Sequence, residues 1–511
     1  MSNQSVLNRI WMVFYVLAAL MYGFILVVSI RSPLHYLEPK EMAVGTIVAA
    51  VIFAVFCFAW HKGYDSLKKK GKIHSLSIIY WITLGLFGFF TFILLALHGN
   101  HYHIVGDYEF LYVSALEQAD GEPLSYPGYF LTYSNNIRPM LMLGTLFKVF
   151  HAIHMDEYYP MLIISVITLL GSAWAAGDLL SDGETHKWRM PVLLLIMACL
   201  PIFVFTGVFY TDTLSFGTGV IAVALLKRAF RDKKKIWLIP IAALIATIGA
   251  GWKITALIPV IAFMLVAVTY TEWQQWGKIL LFGLCFGALF LGLCAWTNSF
   301  EISKEAKEKA NPTVAWIAMG MTGDGSYAQG VDFSDAVNAL PDKMSKSEFA
   351  KTYMKEHVKD AFSLSHLTAK TANNYAAGMF SVSDYTAQDS VGSILWEFMD
   401  PGGKHFYRSC QYMFCYIAMV YLIGFVGAVM AVIRLVRRKE IPPVKMVADL
   451  AFMGLFIFLM IWESNNRQLY NMLPMMAAGT YMNIVLLFDA ARTNEKGGHK
   501  MSGKKSNKRK K

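Results

Sequence analysis

Long runs of apolar residues recur along the chain and constrain its fold more than any other feature. Most of these runs are about 17–25 residues long, which is the length of a helix that crosses a hydrocarbon core of roughly 30 Å. Only 16% of the residues are charged, whereas a soluble domain carries about a quarter. The sequence therefore predicts an all-α polytopic membrane protein and excludes a water-soluble globular enzyme.

Twelve of these runs are candidate membrane spans, and the run at 213–226 is short for one. The six cysteines lie in or beside the runs without a CxxC pair. We therefore expect them to pack as small apolar side chains and predict no metal site for them. The candidate spans lie at about 10–30, 42–60, 74–97, 157–177, 190–211, 213–226, 236–252, 254–271, 279–297, 409–433, 446–462 and 469–488.

The basic residues fall between the apolar runs and at the C-terminus, which gives an expected orientation. Lysine and arginine accumulate in the cytoplasmic loops of membrane proteins. This pattern accounts for the net charge of +11 better than a nucleic-acid partner does. Four basic segments can be cytoplasmic together only if the stretch 135–153 does not cross the membrane. These segments are 62–72, 227–235, 434–445 and 492–511.

The stretch 135–153 carries Arg138, Lys148 and His151 among apolar residues near helical spacing. It predicts an amphipathic helix in the outer membrane interface, with a spanning helix as the alternative. Both termini are then cytoplasmic, and 98–156 is an acidic outer loop within the first transmembrane module. The expected organisation is this module, an outer cap, the C-terminal spanning helices and a basic cytoplasmic tail, at 1–297, 298–408, 409–489 and 490–511.

The outward-facing segments hold an uneven set of charges. Between residues 98 and 134 there are five acids and no lysine or arginine. Asp107 closely follows a span and is a candidate general base at the membrane surface, with a solvated acidic loop as the alternative. Lys253 and Arg467 are expected on the same side. They are candidates to bind a lipid-linked phosphate, or they only anchor helix ends.

Asp212 follows Tyr210 in the turn FYTDT between two apolar runs. Either Thr211 or Asp212 is interpreted as a cap of the following helix. Alternatively, Asp212 is an acid that orients substrate hydroxyls or binds a metal. Charged residues are otherwise scarce within the predicted spans, which disfavours a proton-coupled transporter. Any chemistry is therefore expected at the outer membrane face.

Five short segments in this order resemble bacterial glycosyltransferases of the GT-C superfold, related to the dolichyl-phosphate-mannose protein mannosyltransferases. The resemblance covers most of the chain and extends to the loop segment 314–333. The segments are GDYEF at 106–110, SNNIRP at 134–139, FYTDT at 209–213, GWKIT at 251–255 and NNRQLY at 465–470.

The resemblance implies a GT-C-like fold of about twelve spanning helices and a role for each motif. Asp107 and Glu109 are expected to be catalytic, and Lys253 and Arg467 to bind the donor phosphate. The expected substrate-binding residues are Asn135, Asn136, Arg138, Tyr210, Asp212 and Glu463.

The chain departs from the protein mannosyltransferases in three respects. That group places two acids side by side, whereas Tyr108 separates Asp107 from Glu109. Its His-Pro-Pro stretch is replaced by Asn135-Asn136 and Pro139. No carbohydrate-binding module follows. The acceptor is therefore left open between a cell-surface glycan, a polymer and a protein.

The expected function is transfer of a hexose or pentose, with inversion, from a polyprenyl-phosphate donor at the outer face of the cell membrane. The partners are then the lipid-linked donor, the acceptor and membrane lipid, without nucleic acid. No cofactor is expected, and a divalent metal is left open. The alternatives are a flippase or exporter of a lipid-linked sugar, and a polysaccharide polymerase or ligase that uses a diphosphate-linked donor.

Overall fold

The structure is a computed structural model that describes residues 3–32, 36–98, 104–181, 186–270, 275–376, 378 and 393–506. Side chains at the C-terminal end are described as far as residue 488. Within these ranges the chain forms α-helices and short 3-10 segments, and no β-strand. The predicted all-α class is confirmed for this part of the chain.

Three long apolar helices are followed by three shorter ones within the predicted outer loop. Pro39 and the carboxylate of Glu41 lie in the first turn of the second helix, as is typical of a helix start. The first six helices are α1 Asn3–Arg31, α2 Pro39–Lys69, α3 Ile73–His98, α4 Gly106–Asp120, α5 Pro127–Thr132 and α6 Ile137–Ala152.

The middle of the chain alternates between long and short helices. A 3-10 segment at Ile254–Leu257 interrupts the turn between the sixth and seventh of them. The helices are α7 Tyr158–Leu179, α8 His186–Met197, α9 Ile202–Phe205, α10 Thr211–Leu214, α11 Thr218–Arg231, α12 Leu238–Trp252, α13 Ile258–Tyr270 and α14 Trp276–Ser299.

The predicted cap is helical where it is described, and three further helices return through the apolar core. The predicted tail continues the last helix to Ser506. The cap helices are α15 Glu301–Lys309, α16 Thr313–Met319, α17 Val331–Asn338, α18 Lys343–Ala361, α19 Leu364–Tyr375 and α20 Ile394–Met399. The last three helices are α21 Phe406–Val436, α22 Pro443–Ile461 and α23 Arg467–Ser506.

Nine helices in the described residues are long and apolar enough to cross a membrane, rather than the twelve predicted. Two of the predicted spans, at 236–252 and 254–271, are shorter apolar helices. The predicted span 190–211 is divided into α8 and α9. Pro191 lies inside α8 and Pro201 precedes α9. A proline removes a backbone donor and disfavours helical geometry in the residue before it.

Buried ion pairs join the helices at the end of the bundle where α7 and α11 finish and α22 begins. The Asp178 carboxylate accepts hydrogen bonds from Arg189 and Arg228, both at 2.6 Å. Lys445 donates to Asp449 at 2.7 Å. Removing one partner of such a pair leaves a buried charge uncompensated, at a cost of about 3–5 kcal/mol. These pairs therefore fix the relative positions of the helix ends.

The opposite end of the bundle gathers the starts of α4, α6, α10 and α23 with the ends of α12, α14 and α22 around one cavity. Both ends of α6 lie at this level. Its start lines the cavity, and His151 in its last turn contacts Asp120 of α4 at 2.9 Å and Glu157 beside α7 at 3.3 Å. Consequently α6, the predicted 135–153 helix, does not connect the two ends of the bundle.

Candidate functional site

The cavity between the helix ends and the cap has a volume of about 1130 Å³. It contains eight of the ten residues that were predicted to form a site. The exceptions are Glu109 and Asp212. The eight lining residues are Asp107, Asn135, Asn136, Arg138, Tyr210, Lys253, Glu463 and Arg467.

Two tyrosine hydroxyls hold the Asp107 carboxylate at the cavity wall. Tyr129 donates to one oxygen at 3.0 Å, and Tyr210 donates to the other at 3.3 Å. Asp107 lies in the first turn of α4, where the helix dipole favours a negative charge. Among the described residues it forms no ion pair with a lysine, arginine or histidine. Asp107 is thus oriented by two neutral hydroxyl donors at the wall of the cavity.

Glu109 lies away from this position. It accepts a hydrogen bond from Tyr126 at 3.2 Å and does not line the cavity. Residues two apart in an α-helix are separated by about 200° around its axis, so α4 directs Asp107 and Glu109 to different sides. The structure does not bring the two predicted catalytic acids together.

Lys253 is positioned by a carboxylate that is itself outside the cavity. It ends α12, and its ammonium group pairs with Asp212. Asp212 is 0% exposed, and its second oxygen has no hydrogen-bond partner among the described residues. The capping contact of α10 comes from Thr213, whose hydroxyl accepts from the Tyr210 N–H at 3.1 Å. The interpretation of Asp212 as a helix cap is therefore wrong, and the side chain orients Lys253.

Arg467 begins α23 and approaches the same wall. Its Nε donates to Asn465 at 2.9 Å, and the guanidinium carbon lies 5.9 Å from the centre of the Tyr210 ring. Tyr210 thus contacts both Asp107, through its hydroxyl, and Arg467, through its ring face. The Tyr210 side chain therefore fixes the spacing between Asp107, the candidate base, and Arg467, a candidate to bind phosphate.

The polar residues at the start of α6 have different surroundings. Asn136 is buried and donates to the Tyr129 hydroxyl at 2.5 Å, so it supports the contact to Asp107. Asn135 is exposed and donates to Asn136 at 3.2 Å. Arg138 lies over the ring of Phe290 in α14, at 5.2 Å from its centre. It links α6 to α14 while it lines the cavity.

Glu463 lies in the turn between α22 and α23, half-buried in the cavity wall. Burial raises its pKa to about 7, and the charge of Asp107 acts in the same direction. Arg467, Lys253 and Lys370 oppose this rise. A pKa near 7 makes the charge of the cavity dependent on pH in the neutral range.

We expect the dissociation constant for an anionic ligand of this cavity to increase between pH 6 and pH 8. Glu463 is mainly neutral below its raised pKa and gains a negative charge above it, beside Lys253 and Arg467. The increase should be tenfold or less, because a bound anion that shifts the pKa of Glu463 by about one unit changes the affinity tenfold. Glu463→Gln should lose this dependence, whereas Glu348→Gln on the exposed face of the cap should keep it. If Glu463→Gln kept the pH dependence of the wild type, Glu463 would not be the group that titrates.

Sequence reasoning missed Tyr129 and Lys370. Tyr129 lies in the tyrosine-rich segment before α6, which offered a weak signal. Lys370 is fully buried in the cap, and its ammonium group donates to the carbonyl of Gly320. Burial lowers its pKa to about 8, although Glu463 and Asp324 favour the charged form. No spacing in the sequence indicated this side chain, because its partners come from distant segments.

The described residues contain no group of three or more histidine, cysteine, aspartate or glutamate side chains that could hold a metal ion. Asp107 instead contacts tyrosines, and Asp212 contacts a lysine. The donors around the cavity are hydroxyl, amide and cationic groups, which suit an anionic or polyhydroxylated ligand.

A family model described as conserved hypothetical integral membrane protein matches residues 2–485. The chain belongs to this family. The match covers both the transmembrane helices and the cap. The chain is therefore an integral membrane protein with several apolar helices. No curated protein and no solved structure gives a significant match to it.

Proposed function

We propose that this integral membrane protein is a glycosyltransferase that moves a sugar from a polyprenyl-phosphate donor to an acceptor hydroxyl. The observation that supports it most is the arrangement around Tyr210. Its hydroxyl contacts Asp107, and its ring lies under Arg467 in the same cavity as Lys253. Displacement of a phosphate by an alcohol requires a base for the proton of the alcohol and positive charge for the phosphate. One base and two cations lie beside this cavity.

In the proposed reaction the acceptor hydroxyl attacks the anomeric carbon of the donor. Its proton passes to the Asp107 carboxylate as the new carbon–oxygen bond forms. The bond between the anomeric carbon and the phosphate oxygen breaks with its electron pair, and polyprenyl phosphate leaves. Lys253 and Arg467 stabilise the negative charge of this leaving group. A single displacement inverts the anomeric centre, as the resemblance to GT-C enzymes implies.

The dimensions of the cavities favour transfer over transport. Two further cavities among the described helices each have a volume of about 10 Å³. Neither accommodates a lipid-linked sugar, whereas the site cavity is about a hundred times larger. The large polar cavity therefore lies at one end of the bundle, as a transferase requires, and these two cavities do not extend it toward the other end.

The deciding experiment uses the purified full-length protein in lipid nanodiscs. We would incubate it with a panel of polyprenyl-phosphate hexoses and pentoses, and with polyprenyl-diphosphate oligosaccharides, and measure released lipid phosphate. Release of polyprenyl phosphate from a monophosphate sugar is expected. Use of diphosphate donors alone would indicate a polymerase or ligase. Movement of intact donor across a vesicle bilayer without turnover would indicate a flippase.

The site is proposed to face outward, with both termini cytoplasmic and α6 in the outer interface. The basic segments at 62–72, 227–235 and 434–445 include the helix ends that lie opposite to the cavity and the turns beside them, which agrees with cytoplasmic basic loops. In a background without the native cysteines, Glu348→Cys in the cap should react with an impermeant thiol reagent added to intact cells. Lys69→Cys should react only after permeabilisation. Labelling of Lys69→Cys from outside would reverse this orientation.

A further inference from the structure

Two tryptophans from distant segments form an aromatic pair in the wall of the cavity. Trp316 belongs to α16 in the cap, and Trp462 directly follows α22. Their ring centres are 6.4 Å apart and their planes differ by 13°. Tyr133 adds a third ring, 5.7 Å from Trp316. All three side chains line the cavity, so an apolar surface lies within a polar site.

The two indole N–H groups have no hydrogen-bond partner among the residues that the structure describes. Both tryptophans are only half-buried. Their indole nitrogens are accessible to solvent rather than enclosed. Buried tryptophan N–H groups usually find an acceptor. These two donors are therefore open to an oxygen of a bound molecule. Trp462 also stacks on Phe458, with ring centres 5.3 Å apart, so a ligand ring would meet the accessible face and edges of Trp316 and the indole edge of Trp462.

Hydrogen bonds between the cap and the turn after α22 fix the position of this pair relative to the rest of the site. The Ser464 N–H donates to the carbonyl of Gly325 at 2.7 Å, and its hydroxyl donates to the carbonyl of Asp324 at 2.9 Å. Asn374 of α19 accepts from the N–H of Asn465 at 2.9 Å. The cap is thus bound to the turn that carries Trp462, Glu463 and Arg467. Trp462 directly precedes Glu463 in the chain.

We propose that Trp316 and Trp462 form a subsite for a sugar ring of the acceptor, so that the acceptor is a glycan rather than a protein side chain. This inference rests on the proposed transfer reaction and narrows its acceptor. A pyranose ring offers an apolar C–H face to an aromatic ring and hydroxyl groups to polar neighbours. The cap contributes such polar groups to the wall of the same cavity. They are Asn311, Ser326, Tyr327, Lys343 and Asn373.

The subsite can be tested by binding, without knowledge of the donor. The full-length protein in nanodiscs would carry 5-fluorotryptophan and be titrated with tetrasaccharides of β-glucose, α-mannose and β-N-acetylglucosamine, and with a serine- and threonine-rich peptide. The fluorine signals of Trp316 and Trp462, assigned from single phenylalanine variants, should shift with at least one tetrasaccharide. The signal of Trp237, which is exposed at the other end of the bundle, should not shift.

Substitutions separate a sugar subsite from simple docking of the cap. Trp316→Leu keeps an apolar side chain for packing but removes the flat ring, and it should weaken tetrasaccharide binding about tenfold. Trp316→Phe should retain most of the affinity, and Trp237→Leu all of it. Unchanged affinity in Trp316→Leu and Trp462→Leu, or signals that shift only with the peptide, would overturn the subsite. So would a wild-type protein that binds none of the tetrasaccharides.

The outcomes for the subsite and for the transfer reaction are distinguishable. If polyprenyl phosphate is released but the tryptophan variants bind tetrasaccharide normally, the transferase assignment stands and the subsite is wrong. If tetrasaccharides shift the two tryptophan signals but no donor sugar is released, the subsite stands and the reaction is wrong.

Discussion

Asp107→Asn is expected to lower the rate of sugar transfer by about 10²–10⁴-fold, the usual contribution of a general base. The amide keeps the size of the side chain and still accepts from one of the two hydroxyls that hold it, those of Tyr129 and Tyr210. It cannot take the acceptor proton. Binding of the polyprenyl-phosphate donor should therefore survive, and turnover should fall. The measurement is a single-turnover rate beside a donor-binding isotherm.

Glu109→Gln is the matched control for this change. Glu109 lies on the same helix but contacts Tyr126 outside the cavity, so its neutralisation should alter the rate far less. A large loss in Glu109→Gln with near-normal transfer in Asp107→Asn would exchange the two roles. Near-normal transfer in both variants would remove the catalytic assignment. A flippase would instead transport donor almost normally in Asp107→Asn.

Loss of either cation should be the second largest effect, about 10²–10³-fold in the rate of transfer, as for other groups that stabilise developing charge. Lys253→Ala and Arg467→Ala remove the proposed contacts to the departing phosphate. Lys253→Arg should retain more activity than Lys253→Ala because it keeps the positive charge. Donor kinetics at fixed pH provide the measurement, and wild-type kinetics in both alanine variants would rule out phosphate binding.

Lys253→Ala needs a control for folding, because it leaves Asp212 buried without its partner. An unpaired buried charge of this kind costs about 3–5 kcal/mol. The double variant Lys253→Ala/Asp212→Asn removes both charges and should recover the thermal stability that Lys253→Ala loses. It should not recover transfer. Recovery of transfer in the double variant would show that Lys253 matters only as the partner of Asp212.

The arrangement of the site also indicates how its charges are divided. Asp107 is held by two neutral tyrosine hydroxyls. Lys253 is paired with the buried carboxylate of Asp212, which offsets its positive charge. Glu463 shares the cavity with Asp107 and Lys253, and burial raises its pKa to about 7. A phosphate that binds at Lys253 and Arg467 meets cations whose net charge is already reduced. Such a site can bind an anion and still release it. A leaving group has to be released after each turnover.

The sequence predicted several of the residues in this cavity but not their contacts. Asp107, Lys253 and Arg467 were identified because each charge follows or precedes an apolar run, and helix ends on one side of a membrane lie at the same level. The same reasoning favoured Asp107 as the base but could not show that Glu109 lies outside the cavity. Their difference arises from the direction in which α4 turns its side chains, which depends on the packing of α4 against α6.

The sequence by itself determined the class of the protein, because apolar runs of this length are stable only as helices in a membrane or a buried core. It also placed the helix at 135–153 and the charged helix ends. Only the tertiary structure decided that Asp212 pairs with Lys253 and that Trp316 meets Trp462. These contacts join residues far apart in the chain, and no local periodicity records which distant side chains share a cavity.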